Sequence, residues 1–220
     1  MKKYMWILLI VLFILGGCGM NNDKEENTSP SEMKAEDLAD VPALQDEFTR
    51  EFIQSIEPVR EGFYPFFSKS KSFTMDFPEK MLIDEKSHIV GPDNRSETLV
   101  IGYREAINDI FISHTFNYFN AISSPDSSKK QLSQSADYDL EFKNIDSNSK
   151  TYDVAEYKIN DKRVMLVSLL WNDNQQIQIT STVKCTNELN DNNCEVKINN
   201  HKNSIIEQFK SIKFEDYKSE

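Results

Sequence analysis

The 220-residue sequence lacks the motifs of the common catalytic and nucleotide-binding sites. It contains no GxSxG elbow of a serine hydrolase, no phosphate loop, no dinucleotide fingerprint and no EF-hand loop. The three histidines, His88, His114 and His201, are scattered along the chain. The two cysteines of the carboxy-terminal part lack the CxxC spacing of a zinc knuckle or a thioredoxin site. The sequence therefore predicts no catalytic residue, no cofactor and no metal site.

Two of the histidines could have either a structural or a functional role. His114 falls on an apolar face of its segment, so we expect a core histidine bonded to a backbone group rather than a base or a metal ligand. His88 precedes a turn that contains Asp93 and Asn94. These residues could make a small polar site, but a solvated loop is the simpler interpretation.

Basic residues are scarce relative to acidic ones. The chain has 25 lysines and arginines against 36 aspartates and glutamates, a formal charge of -11. Nucleic acid and anionic lipid headgroups should repel such a chain. We therefore expect no nucleic-acid partner and no charge-driven binding to the membrane.

The sequence also lacks an apolar run long enough to cross a bilayer. Its longest run, from Trp6 to Leu15, is well short of the ~20 residues that a spanning helix needs. The run follows Lys2 and Lys3, and this cationic start before an apolar run is the layout of a secretory signal.

The four residues Leu15, Gly16, Gly17 and Cys18 at the end of this run resemble the lipobox of bacterial lipoproteins. The resemblance implies that a signal peptide, residues 1 to 18, is cleaved before Cys18 and that Cys18 carries a thioether-linked diacylglycerol. Two acyl chains, at ~0.8 kcal/mol per buried methylene, hold a protein firmly on a membrane. The membrane is thus one expected partner, reached through the lipid on Cys18 from the extracytoplasmic side. An uncleaved signal anchor is the alternative, and the short apolar run argues against it.

The rest of the chain divides into a tether and one domain. Residues 19 to 40 are mostly polar or small, which predicts a disordered tether, and residues 41 to 217 predict a single globular domain. With Cys18 assigned to lipid, Cys185 and Cys194 form a pair. A structural disulfide is the natural expectation in an exported protein, and two free thiols are the competing view.

Hydrophobic periodicity predicts an α+β domain: a mainly antiparallel sheet of about seven strands with a helix at each end of the domain. The predicted elements are an amphipathic helix between Val41 and Glu57, strands near 72–77, 88–90, 99–104 and 110–118, a meander of strands near 138–146, 151–160, 163–171 and 176–185, a helix whose firm part is 202–210, and a short strand at 211–214. Residues 110 to 118 also fit a helix face, but their β-branched and aromatic content favours a strand. Residues 123 to 136 predict a loop with at most a short helix.

The patterns of two strands in the meander predict which faces of the sheet are covered. The strand near 163–171 is apolar on both faces, so it should be central and covered on each side. The strand near 176–185 alternates, which places its glutamines and threonines outward. These outward residues are Gln176, Gln178, Thr180 and Thr182.

This order of elements resembles the PsbP-like α/β/α sandwich. Ser72 to Pro78 and Ile205 to Phe214 carry the resemblance, which would cover residues 60 to 215. It implies an accessory or binding module, and no catalytic residue is carried over. We therefore expect a membrane-anchored lipoprotein that is a non-enzymatic module and presents its sheet to an envelope protein or a small ligand. A hydrolase of envelope material, with a site that the sequence does not reveal, is the alternative.

Overall fold

The computed structural model describes residues 29–121, 124–145, 151–186 and 189–216, which form two antiparallel sheets and four α-helices. The strands are β1 (Phe63–Phe67), β2 (Phe73–Pro78), β3 (Leu82–Ile83), β4 (Ile89–Val90), β5 (Ser96–Gly102), β6 (Ile110–Phe119), β7 (Lys143–Ile145), β8 (Thr151–Asn160), β9 (Arg163–Trp171), β10 (Gln176–Cys185) and β11 (Lys213–Phe214). The helices are α1 (Pro42–Gln45), α2 (Glu47–Arg50), α3 (Pro125–Ala136) and α4 (Asp191–Lys210).

The smaller sheet has the order β1-β2-β11, and the larger has the order β3-β5-β6-β10-β9-β8-β7 with β4 beside β5. Every pairing is antiparallel. The α+β class with mostly antiparallel strands is therefore confirmed. The strands are more numerous than predicted and form two sheets, and one of the additional strands is β1, an aromatic stretch that was predicted as a connection.

The main core lies between the two sheets. Strands β5, β6 and β10 alternate residue by residue between buried and partly exposed side chains, the pattern of a sheet with one covered face. The small sheet and α4 cover that inner face, and Phe209 of α4 packs edge-on against Phe116 of β6. Strand β9 is instead buried continuously from Leu166 to Leu170, because α3 covers its outer side.

The helices differ from their predicted bounds. The chain between Val41 and Glu57 does not form one helix: Asp46 is extended and its side chain accepts a hydrogen bond from the Thr49 amide, so it caps a second turn. Helix α3 replaces the predicted loop, with Ser124 as its N-cap and Asp137 in the left-handed conformation at its end. The strand expected near 138–146 is limited to β7.

Residues 29 to 40 belong to the folded domain, which corrects this part of the predicted tether. Pro30 and Leu38 are buried, and the Gln45 side-chain amide donates to the carbonyl oxygens of Ala35 and Ala39 at 3.0 and 3.1 Å. The composition of this segment is polar on average, so it gave no sign that these few apolar side chains are buried in the domain. The remainder of the predicted tether and the signal peptide lie outside the described residues.

A disulfide joins Cys185, the last residue of β10, to Cys194, with the Cα atoms 5.9 Å apart. Both side chains are buried. Cys194 was predicted to precede the closing helix, but α4 begins at Asp191, so Cys194 lies in its first turn. The helix starts early because Asn190 caps it by accepting from the Asn193 amide. The disulfide therefore ties the end of a central strand of the large sheet directly to the helix that covers it.

We expect the double variant Cys185→Ala, Cys194→Ala to fold and to unfold more easily. Releasing a loop of this size returns about 2.5 to 3 kcal/mol of chain entropy to the unfolded state. Urea unfolding followed by circular dichroism measures the loss, and the parent protein in excess reductant is the matched control. Equal unfolding midpoints for parent and variant would contradict the structure.

Candidate functional site

The histidine nearest to a carboxylate is His88, which precedes β4. Its Nε2 donates to Oε1 of Glu97 at 2.9 Å, and the Glu97 side chain is fully buried. The rings of Phe48 and Phe52 meet the imidazole edge-on, with centroids 5.6 and 5.1 Å away. This is a histidine-carboxylate pair in an aromatic surround, and such a pair is a candidate for the site of a hydrolase.

The remaining contacts of Glu97 assign this pair a structural role. Its Oε1 also accepts from the backbone amide of Lys69 at 3.1 Å, and its Oε2 accepts from that of Ser70 at 2.9 Å. Both amides lie in the turn between β1 and β2, so one carboxylate of the large sheet holds the small sheet in place. These three hydrogen bonds fill most of the about four acceptor sites of the carboxylate, and its buried side chain presents no surface to a substrate. The pair is a clamp between the sheets.

His114 is a core histidine, as expected, although its partner is a side chain rather than the backbone. It is fully buried on β6, and its Nδ1 lies 2.8 Å from the Ser181 hydroxyl of β10. The two residues stand directly opposite each other in the strand pairing. Burial lowers the pKa of His114 to about 3, so the imidazole is neutral at physiological pH.

A cleft of about 580 Å³ lies beside α1 and α2. Carboxylates of Asp40, Asp46, Glu47 and Glu105 line it together with Lys80 and Arg104. Arg104 is mostly exposed and lies 3.5 Å from Asp46. The cleft is wide and its charges are mixed, so it is a solvated surface between α1, α2 and the β5–β6 loop.

The outer side of β5, β6 and β10 is the feature most unlike the rest of the surface. Helix α3 covers the neighbouring β8 and β9, where Leu132 packs with Val167 and Leu169, and the first residue of β10, where Ser128 donates to the Gln176 side chain at 2.8 Å. We call the uncovered part, as far as Ser113 and Thr182 and excluding the next pair Phe111 and Lys184, the open face. It consists of Ser96, Thr98, Val100, Gly102, Ser113, Thr115, Asn117, Phe119, Gln178, Thr180 and Thr182, all partly exposed.

Not one residue of the open face is charged, although 28% of the chain is Asp, Glu, Lys or Arg. Along β10, the next outward side chain after Thr182 is Lys184, which is charged. It stands opposite Arg163 of β9. At the other edge Ile89, which is 64% exposed, pairs with Thr98. The open face is therefore an uncharged, hydroxyl-rich and amide-rich surface on an acidic protein.

Within the described ranges, no three His, Cys, Asp or Glu side chains converge in a way that could hold a metal ion. The described helices include none that is long and apolar enough to cross a membrane. Cys18 lies outside the described residues, so its lipidation remains a prediction.

Comparison with known proteins identifies the family. The sequence model of the family described as "Putative lipoprotein YvcA" matches residues 39–213. The chain belongs to this family. A relative of the same description from Bacillus subtilis (strain 168) is 29% identical, and the alignment covers 97% of each chain. Membership in a lipoprotein family indicates a membrane-associated location in the cell envelope.

Among solved structures, the chain is similar to cyanobacterial PsbP (CyanoP) from Synechocystis sp. PCC 6803. The two are 12% identical, with a TM-score of 0.43 and coverage of 72% of this chain and 96% of that one. The strand pairings described above establish the fold class by themselves.

Sequence reasoning missed two features of this site. Glu97 shares the inward parity of Leu99 and Ile101, so alternation could have identified it as a buried carboxylate. Of the predicted outward residues of β10, Gln178, Thr180 and Thr182 are partly exposed, but Gln176 is buried because Ser128 of α3 bonds to it. The continuation of this surface across β5 and β6 depends on strand neighbours that are distant in sequence.

We expect Glu97→Gln to destabilise the fold by about 1 to 3 kcal/mol, the cost of leaving a buried polar group unpaired. An amide can keep one acceptor, but its NH₂ group would face the Lys69 or Ser70 amide, and two donors cannot bond. Urea unfolding measures the loss. Glu85→Gln, at an exposed position, is the control, and an unchanged midpoint in Glu97→Gln would refute the clamp.

We expect His114 to make the protein sensitive to acid. Its pKa is about 3 when folded and ~6.5 when unfolded, so between these values the unfolded chain binds the extra proton. The stability from neutral His114 is complete above pH 6.5 and is lost as the pH falls towards 3, at up to ~1.4 kcal/mol per pH unit. Urea unfolding between pH 4 and 7 should give a shallower slope for His114→Gln. Parallel slopes would contradict the expectation.

Proposed function

We propose that this protein is a lipoprotein held at the outer side of the cell membrane by a diacylglycerol on Cys18, and that it is a non-enzymatic binding module that acts through the open face. The single observation that carries the binding role is the absence of charge across that face. Interface cores are depleted of charged residues, because burying an ion without a partner is costly. A surface of this kind on a chain of charge -11 suits contact with a ligand.

The start of the folded domain supports the anchored arrangement. Ser29 is the first described residue, and the chain between Cys18 and Ser29 can span at most ~40 Å when fully extended. The domain would therefore stay close to the membrane, while its negative charge would keep it from lying flat on anionic headgroups. The disulfide supports an oxidising location outside the cytoplasm.

The anchor is tested by replacing Cys18 with alanine and fractionating cells. The full-length parent should remain with the membranes after washing in high salt and be released only by detergent, whereas Cys18→Ala should lose this retention. Ser31→Ala, an exposed position near the start of the domain, is the matched control and should behave as the parent. If Cys18→Ala stays in the membrane fraction as firmly as the parent, the anchor proposal is wrong.

A further inference from the structure

The open face has a regular geometry across its strands. Strand pairing places its side chains in rows that run perpendicular to the strands. The rows are Thr98 with Asn117 and Gln178, Val100 with Thr115 and Thr180, and Gly102 with Ser113 and Thr182. Neighbouring strands are ~4.8 Å apart and successive rows ~6.8 Å apart. A chain laid along a row would meet a new side chain about every 5 Å.

Much of the hydrogen-bonding capacity of the open face is unused by the described residues. Within the face Thr98 donates to the Asn117 side chain at 2.9 Å, and Thr182 contacts the sulfur of Met165. The side chains of Ser113, Thr115, Gln178 and Thr180 make no hydrogen bond to any described residue. Hydroxyl and amide groups both donate and accept, so the ligand must offer donors and acceptors together.

The lack of charge on the open face and the negative charge of the protein disfavour several classes of ligand. An anionic ligand would meet a protein of charge -11 with no cation inside the face, and a cationic one would find no carboxylate there. An apolar ligand would leave the hydroxyl and amide groups without partners, at a cost of about 1 to 3 kcal/mol for each buried group. A neutral ligand rich in hydroxyl and amide groups satisfies both conditions.

Shape and size favour a thin ligand over a protein. Gly102 has no side chain, so nothing projects from this corner of the face. A Cβ there would lie 2.8 Å from the Ile112 carbonyl oxygen. The three strands give a platform of roughly 350 Å², less than half of the ~800 Å² that each partner buries in a stable protein complex. The face is therefore small for a second copy of the chain and adequate for one extended polymer strand.

We propose that the open face binds the neutral, N-acetylated glycan strand of the cell wall, laid along the rows across β5, β6 and β10. Its sugar units carry hydroxyl and acetamide groups, and each unit of an extended β-linked chain advances by about one strand spacing. Ile89 and Phe119 at the edges offer apolar contacts to the ring faces. The choice of the wall as the source of the glycan depends on the proposed anchoring through Cys18.

Sedimentation with insoluble chitin, a neutral polymer of N-acetylglucosamine, tests the proposal on the full-length, detergent-solubilised protein. The parent should co-sediment, and excess soluble chitin oligosaccharide should release it. Thr115→Glu and Thr180→Glu place a charge in the middle row and should lower the bound fraction at least tenfold. The double variant Thr115→Val, Thr180→Val keeps the β-branched shape without the hydroxyls and should bind several-fold more weakly. Val196→Glu, on the exposed side of α4, should bind as the parent.

Circular dichroism melting curves for all variants show whether a loss of binding reflects a loss of folding. If a glutamate variant fails to fold, the valine variant still tests the role of the hydroxyl groups. No co-sedimentation by the folded parent, or equal binding by the parent and the valine variant, overturns the glycan proposal. Self-association of the parent that Thr115→Glu abolishes, without chitin binding, would instead assign the face to a second copy. None of these outcomes changes the result of the Cys18 fractionation. The anchor proposal and the glycan proposal are therefore tested separately.

Discussion

The antiparallel pairing of β6 with β10 determines both faces of the large sheet. It runs unbroken from Gln176 opposite Phe119 to Cys185 opposite Ile110. Because side chains alternate between faces, a slip of one residue would move the whole apolar set of a strand to the outer side. His114 and Ser181 meet across this pairing in the buried layer, and their 2.8 Å hydrogen bond is satisfied only in this register. A polar pair in the core therefore helps to specify the sheet.

The other long-range ties secure the layers that cover this sheet. The Glu97 carboxylate holds the β1–β2 turn, and so the small sheet, while the disulfide holds the start of α4. On the outer side, Lys129 of α3 forms an ion pair with the buried Asp153 of β8, beneath which Val167 and Leu169 are packed. On β5, β6 and β10 the inner face is thus buried, whereas the outer face is covered only in part.

This unequal covering links the fold to the proposed function. The inner side chains of β5, β6 and β10 are buried whatever the protein binds, so they are selected for packing. The outer ones stabilise the sheet through β-branched threonines without needing to be apolar. A stable sheet can therefore present a surface that is rigid and rich in hydrogen-bonding groups, which lowers the entropy cost of binding an extended ligand.

The sequence by itself determined the features that depend on neighbours along the chain. Alternation predicted β6 and β10, the apolar residues on both faces predicted β9, and the turn residues predicted the meander. The lipobox likewise predicts an anchor at Cys18, which lies outside the described residues. Tertiary structure decided the rest. The Val41–Glu57 segment became two short turns because Asp46 caps the second, and residues 29 to 40 became ordered because the domain offers a site for Leu38. Likewise, Glu97 became a clamp and the threonines of three strands became one surface, because strand pairing joins residues whose separation in sequence leaves no local pattern to read.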